Sequence, residues 1–365
     1  MPTLSATPVI ETNLPEVLSP QVMAPSGPPG LDPAACYFTI KTDSGTGNAQ
    51  SSPADTYIHR FRDNKAVDVI FDWGDGTPPE TVDFAAQTGV VETREHQYAT
   101  PGTYQIKVTK IPGTQGRFNF FFNNLGDRRK IQSVDQWGSE IAYNSFFYSF
   151  MGCFNMTIEA TDAPITSSTA SASNCFRSCT KITGGLAHWN FNQFTNMFQF
   201  IRTCTQFNED LNNIVANENT TFNGFARDCG AYTHPLSNIT APKCTNYSRL
   251  LQDAVLVDTS VPIQWDMTAA TNISSSLRGL GNQPTLRLDL LAVTSKVNNY
   301  TGLLTDTTMS TENYSNTLIA WDAIATLKSD ETLGMGDATY NTAGGTARAS
   351  LIAKWNWVIT DGGPA

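Results

Sequence analysis

Trp189-Asn190-Phe191-Asn192-Gln193-Phe194-Thr195-Asn196-Met197-Phe198-Gln199-Phe200-Ile201-Arg202-Thr203-Cys204-Thr205-Gln206-Phe207-Asn208-Glu209-Asp210-Leu211 is one period of a repeat, and its reading decides the fold. Aligned on cysteine, the neighbouring periods place Cys153, Cys179, Cys204 and Cys229 at spacings of 26, 25 and 25 residues. Extension by 25 and then 26 reaches Ala254 and Leu280, both small or apolar. Three residues earlier stand Phe150, Phe176, Ile201, Ala226, Leu251 and Leu277. Seven earlier stand Phe146, Ala172, Met197, Phe222, Tyr247 and Ile273. Three later come Met156, Ile182, Phe207, Tyr232 and Val257; seven later, Ala160, Leu186, Leu211, Leu236 and Val261. Between these columns the chain is rich in Asn, Thr and Ser. Such a pattern is a structural repeat.

A period near 25 lies within the range of leucine-rich repeats, roughly 20–29 residues for a short strand and its return path. One coil cannot bury its own apolar columns, so successive coils stack around a shared interior. With adjacent strands about 4.8 Å apart, about six coils of 25–26 residues make a solenoid about 25–30 Å long. In-register cysteines then lie about 5 Å apart at Cα, inside the disulfide range. Parallel side chains do not suit the near-90° disulfide torsion, so the column is expected to hold reduced, buried thiols. Cys175, one residue before Phe176, is expected to face elsewhere. Cys175-x-x-x-Cys179 has no second pair to complete a zinc site, and no metal or cofactor is expected.

Upstream, from about Cys36, the chain reads as antiparallel strands. Val67, Val69 and Phe71 alternate with Asp68, Ile70 and Asp72, the turn Asp72-Trp73-Gly74-Asp75-Gly76-Thr77-Pro78-Pro79 follows, and Tyr104-Gln105-Ile106-Lys107-Val108 alternates again. Phe71-Asp72-Trp73-Gly74-Asp75-Gly76-Thr77, followed by His96-Gln97-Tyr98-Ala99-Thr100-Pro101-Gly102-Thr103-Tyr104, resembles the paired signature of PKD-like domains. That resemblance implies an immunoglobulin-like β-sandwich over residues 36–116. Asp72, Asp75 and Asp83 bear the oxygens calcium prefers, but they lack the Asp-x-Asp-x-Asp-Gly spacing, and a hairpin turn needs no metal. Trp73 is expected in the sandwich core.

The array also resembles a family. Trp189-Asn190-Phe191, Thr195-Asn196-Met197-Phe198 and Phe207-Asn208-Glu209-Asp210-Leu211 are similar to the repeat of BspA-like leucine-rich-repeat surface proteins. The likeness starts at Val134-Asp135-Gln136-Trp137-Gly138, and Phe121-Phe122-Asn123-Asn124-Leu125-Gly126-Asp127 resembles the junction joining such arrays to a PKD-like domain. The tail from Tyr314 to Gly363 resembles the closing segment after them. There Ser310 or Thr311 caps a helix carrying Tyr314, Leu318, Trp321 and Ile324. Thr346 is expected to open a second helix with Ala349, Leu351 and Ile352, and Trp355 to Thr360 to form a last strand.

The 365 residues suggest two or three domains. The expected plan is a mainly β chain: 1–35 an extended anchoring arm rich in proline (Pro8, Pro15, Pro20, Pro25, Pro28, Pro29, Pro33); 36–116 the PKD-like sandwich; 117–285 the solenoid; 286–365 an α/β cap. Only 15% of residues are charged and the net charge is −10. The basic run Arg128-Arg129-Lys130 stands beside Asp127, so nucleic acid is a poor partner. No apolar stretch reaches the ~20 residues of a membrane helix. Met1 to Ser5 lacks a secretory leader, and seven cysteines are an odd number, so free thiols in a reducing compartment are expected. The sequons at Asn219 and Asn299 are therefore discounted.

His59, His96, His188 and His234 have no sequence-local nucleophile or metal partner, and Glu209-Asp210 sits at a repeat turn. No catalytic residue is assigned. PKD-like plus BspA-like chains resemble structural proteins of marine bacteriophages. The implied role is a homo-oligomeric virion protein made in the host cytoplasm, decorating the head, collar or tail fibre. Its arm would dock on other virion proteins, and its array would contact a host glycan or protein. A bacterial cell-surface adhesin is the alternative, and a carbohydrate-active enzyme a third.

Overall fold

The computed structural model describes residues 30–45, 49–62, 64–166 and 170–365. Most of the proposed arm, residues 1–29, lies outside them. The chain is mainly β, with two α-helices near its carboxyl end.

The first strands are β1 (Cys36–Lys41), β2 (Thr56–Arg60), β3 (Val67–Asp72), β4 (Glu80–Phe84), β5 (Thr93–Gln97), β6 (Thr103–Lys110), β7 (Arg117–Phe118) and β8 (Ile131–Gln136). A six-stranded sheet runs, in order, Thr157–Ile158, β8, β1, β6, β3, β4. Its pairs are antiparallel except Thr157–Ile158 with β8, where the array begins. The β2–β5 ribbon packs across it through Tyr57, His59 and Phe61, which meet Phe38, Phe71 and Trp73. Strict alternation fails at Asp68, which is buried because Arg117 reaches its carboxylate at 2.6 Å.

The Trp73 turn is a packed corner. Trp73 stacks on His96 (4.9 Å between centroids, 7° between planes), and the Tyr98 hydroxyl donates to the Trp73 carbonyl. Gly74 has a φ of +78°, and a Cβ there would strike the Gln105 carbonyl, so only glycine fits.

One buried cluster runs from Cys36 to Ile359, so the antiparallel unit and the array share an interior. All the cysteine-aligned columns are buried as expected, except that Val261 is half-buried. Ile263, two residues on, is the buried side chain there. A further buried column precedes the cysteines by four: Ser149, Cys175, Phe200, Phe225, Leu250 and Ser276. Cys175 therefore faces the same interior as its neighbours.

Coils are joined by backbone. Phe146, Tyr148, Phe150 and Gly152 donate their amides to the carbonyls of Ser171, Ser173, Cys175 and Arg177 in the next coil. Four-amide sets recur at every junction, through Ile273, Ser275, Leu277 and Gly279 onto Asn299, Thr301, Leu303 and Thr305. This ladder is not extended strand. Tyr148, Asn174, Gln199, Gly224, Arg249, Ser275 and Gly302 share φ of 52–62°. Four residues later Gly152, Ser178, Thr203, Asp228, Asp253, Gly279 and Asp306 share φ of 58–78°. Left-handed non-glycine residues cost about 1–2 kcal/mol each, and the hydrogen bonds on both sides hold them there. Genuine strands are short and lie elsewhere in the coil, as in Ile214–Val215, Asn238–Thr240 and Gln264–Trp265, paired in parallel.

The ladder continues past residue 285. Asn272 bridges to Asn299 and Tyr300 to Leu333; Thr332–Gly334 then pairs in parallel with Val358–Thr360. In these last coils helices fill the return path. Helix α1 (Thr311–Asp322) is capped by the Ser310 hydroxyl, which accepts from the Asn313 amide. Helix α2 (Thr342–Trp355) is capped by Asn341 and so begins four residues before Thr346; it places Gly344, Ala347 and Leu351 inward while Ala349 is exposed. Gly344-Gly345 are poor helix formers, which hid this first turn. They are tolerated because a Cβ on Gly344 would sit 2.8 Å from Ser315 Cβ, so glycine lets the helices touch. The expected strand from Trp355 is likewise shorter: Trp355 ends α2, Asn356 turns left-handed at φ 56°, and the strand is Val358–Thr360.

Candidate binding face

The columns that do not enter the core form one outward face. Ser145, Ser171, Asn196, Thr221, Asn246, Asn272 and Asn299 open successive coils. The side-chain oxygen of each accepts the amide two residues on, as from Asn196 to Phe198 (2.9 Å) and Asn272 to Ser274 (2.9 Å). These turns explain the Asn, Ser and Thr content, since such side chains mimic a backbone turn. Two residues before Cys179, Cys204 and Cys229 the face carries Arg177, Arg202 and Arg227, with Met151 before Cys153 and Arg278 in a later coil. Asp228 pairs with both Arg202 and Arg227, each at 3.4 Å, and Arg278 with Asp306 at 3.5 Å. The polar columns follow the cysteine alignment, but they change residue type from coil to coil, which hides them in the sequence.

The cysteine column does more than fill space. The thiols of Cys179, Cys204 and Cys229 donate to the carbonyls of Phe150, Phe176 and Ile201, each at 3.0 Å. Thr307 occupies the same column two coils after Ala254, and its hydroxyl donates to Leu277 at 2.6 Å. In these four coils a small side chain with a donor satisfies a carbonyl that faces the interior, while Ala254 and Leu280 fill the column without one. All seven cysteines are free and buried; burial pushes their thiols up, Cys229 to about 12. Inertness follows, because the thiolate is the reactive form. An aromatic disulfide reagent should modify none of the seven in the native chain and all seven in denaturant; rapid native labelling would contradict the packing. Cys204→Ala should cost about 1 kcal/mol in chemical denaturation, the usual net worth of one hydrogen bond.

The other residues singled out from sequence are dispersed. Asp75 holds the Thr77 amide and hydroxyl and contacts His96 Nε2 at 2.8 Å. Burial opposes its charge, but those Thr77 and His96 contacts prevail and hold its carboxyl down at about 2. Asp72 binds the Gly74 amide and Asp83 is exposed on β4, so the three carboxylates do not converge. Among the described residues no group of three or more His, Cys, Asp or Glu is placed to hold a metal. Glu209 accepts the Leu186 amide at 2.6 Å and Asp210 the Asn212 amide at 2.8 Å, so each braces a turn. His188 is exposed and His234 half-buried, in different coils. Asn219 is fully buried, its oxygen accepting the Met197 amide, so this sequon is closed to glycosylation in the folded chain.

Arg128-Arg129-Lys130 is not a surface patch throughout. Lys130 is fully buried, its ammonium against the carbonyls of Ser52 (3.0 Å), Pro53 (2.7 Å) and Thr56 (2.6 Å), the Ser52 hydroxyl (2.7 Å) and Asp127 (3.7 Å). A shallow groove of about 280 Å³ on another side of the array is lined by Trp189, Asn190, Phe191, Asp210, Asn212 and Val215, among others. Its Asn212 oxygen is already spent on the amides of Ser237 and Asn238.

Fold and face together define a repeat protein with a continuous ladder and one polar, partly cationic side. Residues 144–285, under half of the chain, match the model of a family described as a Mycoplasma protein of unknown function, DUF285. No curated protein and no solved structure matches the chain.

Proposed function

We propose that the chain is a non-enzymatic display protein of a bacteriophage virion, of head-decoration, collar or tail-fibre type, assembled in the host cytoplasm as a homo-oligomer. In this reading residues 36–116 are a PKD-like, immunoglobulin-like spacer, 117–285 a leucine-rich-repeat solenoid, 286–365 its cap and 1–35 the anchor on other virion proteins. The observation that carries it is the shared interior from Cys36 to Ile359, which holds the polar face rigidly against the amino-terminal unit. Rigid presentation suits adhesion to a host glycan or protein through many weak contacts. The ends support it as well, since a solenoid needs its open core closed, by the antiparallel sheet on one side and α1 and α2 on the other.

Mass spectrometry of purified particles tests the assignment: the chain should be a stoichiometric component, and its absence would refute the virion reading. Deleting residues 1–29 should abolish incorporation with the folded units intact, since Pro33 and Ala34, which accept the amides of Ser139 and Glu140, are kept. Purified full chain added in excess should block host adsorption by competition; undiminished adsorption would remove adhesion from the chain. The Mycoplasma family match favours a second reading, a bacterial cell-surface adhesin. Surface labelling of intact cells should then recover the chain.

A further inference from the structure

We infer that the amino-terminal half of the outward face binds a linear acidic polysaccharide, with Arg177, Arg202 and Arg227 as successive anion contacts. The inference rests on the reading of the array as a binding module, and is indifferent to whether particle or cell displays it.

The chain carries a net charge of −10, yet arginines gather here. Arg177, Arg202 and Arg227 share one column of an in-register ladder, which spaces them about 4.8 Å apart from coil to coil. The row begins at Arg177, since Met151 takes its place in the coil before and the nearby Arg128 is buried. These cations feel one another, since burial and then the Arg202 and Arg227 charges lower the Arg177 pKa. Carboxylates balance them only in part: Asp228 is shared by Arg202 and Arg227, and its charge also reaches Arg177. Among the described residues no ion pair within 4 Å reaches Arg177, whose guanidinium donates to the neutral oxygen of Asn174 (3.3 Å). Like charges in a row repel in the free protein, and an external polyanion along the row relieves that repulsion.

A row selects a polymer over a single anion, and the guanidinium fork suits carboxylate or sulfate bidentately. Half-buried Ser178 and Thr203 flank it with hydroxyls suited to sugar hydroxyls. Single-stranded nucleic acid needs open aromatic faces for its bases. The rings beside it are half-buried: Phe147 lies under Arg62 at 4.1 Å and against Tyr148 at 4.3 Å. Towards the carboxyl end Asp253 and Asp306 mix the sign, so the cationic track stops near Asp228. The backbone is already tied on both sides of each coil, so little ordering opposes binding.

The test uses the purified full chain and titration calorimetry with alginate, dextran sulfate and uncharged dextran. Both polyanions should bind, dextran should not, and affinity should fall as salt rises from about 50 to about 300 mM. Arg177→Ala with Arg202→Ala should weaken binding by about tenfold or more at unchanged melting temperature. Arg278→Ala, outside the track, should change it less than about twofold. The proposal is overturned if neither polyanion binds, if dextran binds equally, if the double variant binds like wild type, or if oligothymidylate binds as tightly as alginate. Should it fall while purified full chain still competes for host adsorption, the ligand class is wrong and the adhesion reading stands.

Discussion

Lys130→Met is expected to lower stability by about 3–5 kcal/mol, read as a fall in the denaturation midpoint, because it strips a buried cage of its only cation. The Lys130 ammonium ties the carbonyls of Ser52, Pro53 and Thr56 to the chain entering the array. Asp127 completes the latch, accepting from the Ser52 amide (2.8 Å), the Ser51 and Ser52 hydroxyls and the Ile58 amide (2.7 Å). Burial lowers the Lys130 pKa, opposed by Asp127. Methionine keeps the stem's volume but leaves three inward carbonyls without their ammonium, and unsatisfied buried acceptors cost more than a hydrogen bond is worth. Lys130→Arg should rescue only in part, since a planar fork does not fit a cage built around a point charge. A loss below about 1 kcal/mol for the methionine variant would show that the cage is hydrated and not sealed.

Acid should destabilise the junction between the two units well before the carboxylates titrate. His59 is fully buried among Phe38, Phe61, Phe71, Phe118 and Phe120. Its Nε2 donates to the Asn119 carbonyl at 3.1 Å, which leaves Nδ1 to accept from the Tyr57 hydroxyl at 3.2 Å. The ring is neutral. Burial pushes its pKa down from the usual 6.5 to about 3, against the opposing Asn119 bond. The unfolded chain takes up a proton below pH about 6.5 and the folded chain does not, so the unfolded state gains as pH falls. This stabilisation is intact above pH about 6.5 and is lost progressively down to about 3, by about 1.4 kcal/mol per pH unit. Equilibrium unfolding between pH about 5 and 6.5 should show that slope. His59→Phe should flatten it, even if the orphaned Tyr57 and Asn119 groups lower stability at neutral pH; an unchanged slope would place the proton elsewhere.

Much of the array was legible because burial is periodic and tolerant. Any apolar side chain serves at Met197 or Phe222, so the column survives changes of residue. The column four before the cysteines was hidden because Ser149 and Ser276 share it with Phe200 and Phe225. The outward face was harder still. Its turns are defined by a left-handed φ shared by Tyr148, Asn174 and Gln199, which have no side-chain property in common. Past residue 285 the interval lengthens to 27, from Ile273 to Tyr300, and Thr307 stands where cysteine would, so the alignment lost its anchor. The arginine row needed only the same alignment read two positions earlier.

By itself the sequence determined that about 25 residues make one turn of a stack, and which side chains point inward, because hydrophobic burial depends on spacing alone. Only the tertiary structure decided what the remaining groups do. Whether Lys130 faces solvent or a cage of carbonyls, whether a thiol donates to the coil beside it, and whether arginines 25 residues apart stand side by side are questions of contact. Hydrogen bonds and charges act over a few ångströms in space, and no spacing along the chain supplies that distance until the coils are stacked.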